Sequence, residues 1–242
     1  MPKLASVNDW AWLMWIKICG LRDVATARNI AVFGPDAVGL NFFDKSPRCV
    51  TVAAAAEIVA ILPENIEPVG VFVNHTADQI ASICSRCGLT SVQLHGDEPP
   101  ELLAKLHGKN DKLRIIRAFR FGADFTRQLA KYLDSLAELD VRLSACLIDA
   151  NVPGVYGGSG ETAPWDELVK SYLWDAWPPM ILAGGLKPEN VSEAIGTVQP
   201  WGVDTASGVE ATVGTKDVQL VRTFIENARS TFERLQNRRE SR

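Results

Sequence analysis

Residues 180–185 read MILAGG and residues 202–208 read GVDTASG, so two short segments of apolar and β-branched residues each run into a glycine-containing loop. A segment of this length and composition that ends in such a loop is typical of a buried strand. After the second loop, apolar residues recur three or four positions apart, as on one face of a helix: Val218, Val221, Ile225, Ala228, Phe232 and Leu235. Each segment therefore opens a strand–loop–helix unit.

The same pattern repeats towards the N-terminus. Six further strand-like segments lie at 14–19, 37–43, 68–73, 91–95, 113–119 and 144–149, with segments of helical spacing between them. Eight such units without a linker are typical of a closed α/β barrel, whereas an open doubly wound sheet usually has about five or six strands. We therefore predict a single (β/α)8 TIM barrel over residues 1–242, of which 1–14 form an N-terminal extension.

The composition of the chain argues against nucleic-acid binding, a membrane span and a metal site. The formal net charge of -4 leaves no broad basic face for nucleic acid. The five cysteines are an odd number without a secretory leader, which predicts a reducing, cytoplasmic location. The apolar run at 10–16 is shorter than the ~20 residues of a membrane span. Cys84 and Cys87 fall on the apolar face of the third helix, so we interpret this pair as core packing and expect no metal.

In such barrels the active site lies at the C-terminal ends of the strands. The first strand ends in Lys17-Ile18-Cys19, and side-chain alternation turns both Lys17 and Cys19 into the barrel. A neighbouring ammonium should favour the thiolate and hold the pKa of Cys19 below the ~8.5 of a free thiol, which would make it a usable base. Alternatively, Cys19 is a small buried hydrophobic residue.

Other strand ends also carry titratable groups. Asp149 closes the sixth strand, roughly across the barrel mouth from Cys19, so these two could act as an acid and base pair. Gln93 and His95 share one face of the fourth strand, and Asp204 lies in the eighth. The alternatives are a turn-forming role for Asp149 and structural roles for His95 and Asp204.

Glycine-rich loops predict a phosphate site. Gly184 and Gly185 follow the seventh strand, and Ser207 and Gly208 follow the eighth, which are the two loops that most often hold phosphate in this fold. Their backbone N–H groups can approach an oxyanion, although Gly-Gly also makes ordinary turns. The loop after Asp149, with Gly157 and Gly158, is interpreted as a lid or as flexible surface.

Together these residues resemble the phosphoribosylanthranilate isomerase family. The resemblance runs from Lys17 to about Ala228 and is carried by a set of segments in family order: KICGL (17–21), KSPR (45–48), VGVFVN (69–74), VQLHGDE (92–98), LIDA (147–150), GGSG (157–160), LAGGL (182–186), PENV (188–191), GVD (202–204) and SGVE (207–210).

The resemblance implies the Amadori rearrangement of N-(5'-phosphoribosyl)anthranilate in tryptophan biosynthesis, without metal or organic cofactor. It assigns the general acid to Asp149, the general base to Cys19 and the contact with the anthranilate carboxylate to Arg48. It also implies that the substrate is bound by His95, Asp204 and the phosphate loops, in a protein that is either a monomer or a homodimer.

Three departures and two rival functions accompany the resemblance. Glu161 stands where the family usually has lysine, Ala206 stands where it usually has serine, and the segment from Met1 to Trp15 precedes the family's usual start. The related aminoaldose isomerase of histidine biosynthesis shares the fold, but it uses aspartate in place of Cys19 and needs a second phosphate loop, for which residues 1–110 offer no good candidate. A non-catalytic phosphosugar-binding barrel is the other alternative.

Overall fold

The structure, a computed structural model, describes residues 14–150 and 165–241. Eight parallel strands close a barrel in chain order, with β8 pairing back onto β1, which confirms the predicted TIM barrel. The strands are β1 (Trp15–Cys19), β2 (Ala37–Asn41), β3 (Glu67–Phe72), β4 (Ser91–Leu94), β5 (Arg114–Arg120), β6 (Ala145–Asp149), β7 (Met180–Ala183) and β8 (Gly202–Thr205).

Helices follow the strands and cover the outside of the barrel. They are α1 (Val24–Ala31), α2 (Val52–Ile61), α3 (Ala77–Cys87), α4 (Pro100–Lys109), α5 (Phe125–Glu138), α6 (Trp165–Ser171), α7 (Val191–Val198) and α8 (Val218–Glu240). Local signals explain their bounds: α3 begins at a capping box formed by Thr76 and Gln79 and ends at Gly88, whose φ of 69° is left-handed.

Alternation along each strand divides the core into two parts. One side faces the helices, where Ile16 and Ile18 are fully buried. The other side fills the barrel with small and branched residues such as Val69, Leu147 and Ile181. This filling leaves the polar side chains for the upper layers of the barrel and for its mouth.

All five cysteines are free, and Cys84 and Cys87 are buried on α3 within the core between sheet and helices. Core packing therefore explains this pair. Within residues 14–150 and 165–241, no helix is long and apolar enough to cross a membrane.

Several strand bounds differ from the prediction. β2 ends at Asn41, two residues early, and β4 ends at Leu94, so His95 is the first residue of the loop. The sequence analysis did not predict an antiparallel hairpin after β8, formed by β9 (Glu210–Thr212) and β10 (Thr215–Lys216). The predictions for the N-terminal extension (apart from Met14), for Gly157 and Gly158, and for Glu161 concern segments outside the described residues.

Candidate active site

A buried ion pair lies where β1 meets β8. Lys17 and Asp204 face each other in register, and Lys17 Nζ donates to Asp204 Oδ1 at 2.9 Å. The lysine is completely buried. Burial lowers the pKa of Lys17, but the attraction and hydrogen bonds of Asp204 and Cys19 together outweigh it, and the net pKa is raised. An ammonium thus stays charged inside the barrel because a carboxylate faces it.

Cys19 lies beside this pair, at the mouth end of β1. Its strand neighbour is Gly39 on β2, and a Cβ built there would lie 2.6 Å from Cys19 Sγ and 3.1 Å from Lys17 Cε. No side chain fits in that space. The bare backbone at Gly39 therefore makes room for both the thiol and the lysine, which confirms that Lys17 and Cys19 turn into the barrel.

The predicted direction of the Cys19 pKa is wrong. Burial raises the pKa of this thiol, and although Lys17 and Lys216 both pull it down, the net shift is upward. A thiolate loses its hydration inside the barrel, and Asp204 neutralises much of the charge that Lys17 would otherwise supply. The resting thiol is therefore protonated at neutral pH.

We expect iodoacetamide to label Cys19 at a rate that still rises above pH 9, because alkylation needs the thiolate and the pKa is raised from 9.0. Cys19 should nevertheless react faster than Cys84 and Cys146, because it lies at the mouth beside Lys17 and Lys216 whereas those two pack in the core between sheet and helices, and a bound product analogue should protect it. Mass spectrometry of tryptic peptides measures each rate. A rate that levels off near pH 8, or equal labelling of all three cysteines, would contradict this expectation.

Asp149 and His95 lie on the other side of the mouth. Asp149 ends β6 beside Ala183 of β7, and His95 follows β4. Burial lowers the pKa of His95, while the charges of Asp149 and Asp204 raise it and those of Lys17 and Arg117 lower it further. At the mouth, Asp204 therefore interacts with Cys19 and His95, and His95 interacts in turn with Asp149.

Arg48 belongs to a second charged network at the rim. Its Nε and Nη2 donate to the two carboxylate oxygens of Glu210, each at 2.7 Å. Lys216 Nζ donates to Glu210 at 2.9 Å and to the carbonyl of Ala206 at 2.7 Å. The hairpin thereby ties Arg48, on the loop after β2, to the phosphate loop after β8. Among the described residues Arg48 Nη1 has no hydrogen-bond partner, which leaves it able to donate to a ligand.

Sequence reasoning missed the roles of Glu210 and Lys216. Glu210 lies within the SGVE segment, and Lys216 is a lone lysine in the loop after the last strand, where a functional reading was open. Nothing local indicated that either would be buried. Their importance follows from the fold of the hairpin, which brings Glu210 back against a loop 162 residues earlier in the chain.

Because Arg48 and Lys216 hold Glu210, we expect this network to lose stability in acid. Burial raises the pKa of Glu210, but these hydrogen bonds outweigh it and leave the pKa at about 2, against 4.5 for a free glutamate. Because the pKa of Glu210 is lower in the folded state than in the unfolded state, this group contributes stability that is fully present above pH 4.5 and is lost as the pH falls towards about 2. In urea unfolding, Glu210→Gln should therefore be less stable than wild type at pH 6, with a smaller difference at pH 3.

The control for this experiment is Glu226→Gln, because Glu226 forms an exposed i,i+4 ion pair with Arg222 and should change stability little at either pH. A Glu210→Gln protein as stable as wild type at pH 6 would contradict the expected contribution of the network.

The two phosphate loops are locked together. Gly184 and Gly185 have φ values of 91° and 68°, which glycine adopts readily. Thr205 Oγ1 donates to the carbonyl of Leu186 at 2.7 Å, and Gly208 packs so closely on that carbonyl that a Cβ would collide with it. Gly185 and Ser207 are exposed at the mouth. The loops after β7 and β8 thus form one fixed glycine-lined edge, and the glycines at 157 and 158 fall outside the described residues.

Open space adjoins the rim network. A cavity of about 320 Å³ is lined by the loops after β1 and β2 and by the hairpin, including Gly20, Arg22, Thr51, Gly214 and Lys216. This volume lies at the lower end of the range for small-molecule sites. A small ligand therefore has room beside Lys216.

Known proteins resemble the chain over most of its length. The family described as N-(5'phosphoribosyl)anthranilate (PRA) isomerase matches residues 16–227. The chain belongs to this family. The N-(5'-phosphoribosyl)anthranilate isomerase of Geotalea daltonii is 44% identical over 214 residues, which are 88% of this chain and 96% of that protein. Family membership makes the chain an isomerase and places it in tryptophan biosynthesis, as the resemblance implied.

Two solved isomerase structures of the family share the barrel. One, in complex with reduced 1-(o-carboxyphenylamino)-1-deoxyribulose 5-phosphate, is 32% identical with a TM-score of 0.75 and covers 90% of this chain and 100% of its own. The other, of monomers generated from the dimeric isomerase of Thermotoga maritima, is 32% identical with a TM-score of 0.74 and the same coverage. A small phosphosugar is thus the class of substrate that the family relationship supports.

Proposed function

We propose that this chain converts N-(5'-phosphoribosyl)anthranilate to 1-(2-carboxyphenylamino)-1-deoxyribulose 5-phosphate, with Cys19 as general base and Asp149 as general acid. The observation that carries the proposal is the set of charges at the mouth. Asp204 interacts with Cys19 on one side and with His95 on the other, and His95 in turn interacts with Asp149. A thiol and a carboxyl on facing strands can therefore serve one sugar.

The reaction begins with two proton transfers, one from Asp149 and one to Cys19, and ends with a tautomerisation. Protonated Asp149 gives its proton to the furanose ring oxygen, and the ring opens to a protonated Schiff base at C1'. The Cys19 thiolate then removes the C2' proton, and the electron pair moves towards the nitrogen to give an enolamine. Protonation at C1' and loss of the proton from the C2' hydroxyl yield the ketone. The proton that the thiol releases to solvent on ionising is matched by the one that Asp149 takes up from solvent afterwards, so the overall reaction consumes no proton.

Without substrate the surroundings of Cys19 favour the protonated thiol, so the bound substrate must shift this balance towards the thiolate. Lys17 and Lys216 both attract negative charge on the sulfur, while burial and Asp204 oppose it. The protonated Schiff base adds another positive charge close to C2' once the ring has opened. We infer that this charge, together with the two lysines, makes the otherwise protonated thiol ionise in the substrate complex.

Two groups of residues bind the two ends of the substrate, the anthranilate carboxylate and the phosphate. We assign the anthranilate carboxylate to the free edge of Arg48, since Glu210 fixes the orientation of the guanidinium by a bidentate ion pair. We assign the phosphate to the backbone N–H groups of the two phosphate loops, at Gly184, Gly185, Ser207 and Gly208. His95 and Asp204 lie between these ends and face the sugar.

The remaining assignments follow from the same site. The chain acts as a single domain without metal or organic cofactor, and its five free cysteines support a cytoplasmic location. All proposed site residues belong to one chain, so a monomer and a homodimer are equally compatible with the reaction. The extension at 1–14 has no part in this proposal.

The test is fluorescence-monitored consumption of N-(5'-phosphoribosyl)anthranilate by the purified chain. We expect turnover with this substrate and none with the doubly phosphorylated aminoaldose of histidine biosynthesis. Turnover of the second substrate alone would favour the histidine enzyme. Tight binding of the first substrate without turnover would favour the non-catalytic barrel.

A further inference from the structure

Gln93 is a buried polar residue that the proposed reaction does not use. It lies on β4, facing the barrel interior between Val71 of β3 and Ile116 of β5, and it is 1% exposed. Its Nε2 is 2.8 Å from Nδ1 of His95, two residues further along the chain. Its Oε1 has no hydrogen-bond partner among the described residues. Among the described residues, the hydrogen bond of the Gln93 amide is therefore made to one nitrogen of the histidine ring.

That contact restricts the state of His95. An amide nitrogen only donates, so Nδ1 must offer its lone pair. A neutral imidazole that accepts at Nδ1 carries its hydrogen on Nε2, and an imidazolium cannot accept at all because both of its nitrogens are protonated. With the amide oriented so that Nε2 faces the ring, Gln93 is compatible with one protonation state of His95 out of three, whereas the reverse orientation, with Oε1 facing Nδ1, would require a hydrogen on Nδ1.

The charges around His95 agree with a neutral ring. Burial lowers its pKa, and Lys17 and Arg117 act in the same direction, while the carboxylates of Asp149 and Asp204 act against them. At neutral pH the ring then has a single N–H. Gln93 occupies the nitrogen at the inner edge, so this hydrogen lies on the opposite edge of a half-buried ring.

We propose that Gln93 is a positioning residue that fixes His95 as the neutral Nε2–H tautomer, so that His95 donates a hydrogen bond to the substrate and does not act as a base. The proposal deepens the isomerase function and rests on it for the identity of the acceptor, a sugar oxygen. The assignment of the tautomer stands on the Gln93 contact alone. It also gives this buried glutamine a role.

The tautomer can be measured without substrate. The chain has three histidines, so long-range ¹H–¹⁵N spectra of protein labelled at histidine are simple, and the signals lost in His95→Asn identify His95. We expect Nε2 of His95 to be protonated and Nδ1 to be unprotonated at pH 7. A hydrogen on Nδ1, or a doubly protonated ring, would overturn the proposal.

Two variants of Gln93 separate positioning from packing. Gln93→Glu places an acceptor at the same point, so Nδ1 should become protonated and kcat/KM should fall by about 10- to 100-fold, the usual effect of losing one well-placed hydrogen bond. Gln93→Met keeps a similar length without a donor and should give a mixture of tautomers with a smaller loss. The control is Gln128→Glu, the same substitution on the exposed surface of α5.

Each outcome bears on the proposal. Identical tautomers in wild type, Gln93→Glu and Gln93→Met would refute it, and so would an inverted tautomer with unchanged kcat/KM. If Gln93→Glu does not fold, the spectra of wild type and Gln93→Met still decide. If wild type has the expected tautomer but does not turn over N-(5'-phosphoribosyl)anthranilate, the proposed function fails while the role of Gln93 in setting the tautomer stands.

Discussion

Asp149→Asn should lower kcat by on the order of 10²–10⁴-fold or more, the range that one positioned acid supplies. Asparagine has nearly the same shape as aspartate at the end of β6, but it cannot deliver a proton to the ring oxygen, so the furanose stays closed. The binding of a product analogue should change little, because the phosphate loops and Arg48 are untouched. Steady-state fluorescence kinetics and calorimetric titration with reduced 1-(o-carboxyphenylamino)-1-deoxyribulose 5-phosphate measure the two effects.

Asp134→Asn is the matched control, because Asp134 is exposed on α5 and its variant should keep wild-type kinetics. A large loss of analogue affinity with normal turnover would reverse the assignment and make Asp149 a binding residue.

Cys19→Ala should lower kcat by a factor comparable to that of Asp149→Asn, because the alanine side chain cannot take the C2' proton. The alanine leaves Lys17 paired with Asp204, so the fold and the affinity for the product analogue should persist. The ring-opened Schiff base should still form in this variant, because Asp149 is intact. Rapid-quench analysis with borohydride trapping would detect this species, which wild type consumes.

Cys84→Ala controls for the loss of a buried thiol, as Cys84 packs on α3 away from the mouth. Turnover of Cys19→Ala close to that of wild type would show that another group takes the proton and would remove Cys19 from the reaction.

The closed barrel could be predicted from the sequence because its signals are local. Alternation of short apolar segments with helical spacing, repeated eight times, specifies the topology without knowledge of any long-range contact. The rule that strand ends carry the chemistry then identified Cys19, Asp149, His95 and Asp204. Their roles in the reaction remain predictions. Gly157 and Gly158 lie outside the described residues, so their place at the site is untested.

The sequence also supported the family resemblance, which the comparisons confirmed, because the segments that carry it are spread from Lys17 to the last helix in a fixed order. It did not predict the hairpin at Glu210–Lys216. Two very short strands around Gly214 leave too weak a pattern, and the hairpin is held by contacts with Arg48 and Ala206, which are distant from it or not evident in the sequence pattern.

The electrostatic state of the site was decided only by the tertiary structure. Lys17 finds its partner 187 residues away, and Arg48 finds Glu210 162 residues away. Proximity of Lys17 to Cys19 could be read from strand alternation, but the pKa of the thiol depends on how much water the barrel excludes and on the carboxylate that neutralises the lysine. Desolvation and pairing are properties of the assembled neighbourhood, so the local sequence indicated that Lys17 lies beside Cys19, while the fold determined the partners of these groups and their charges.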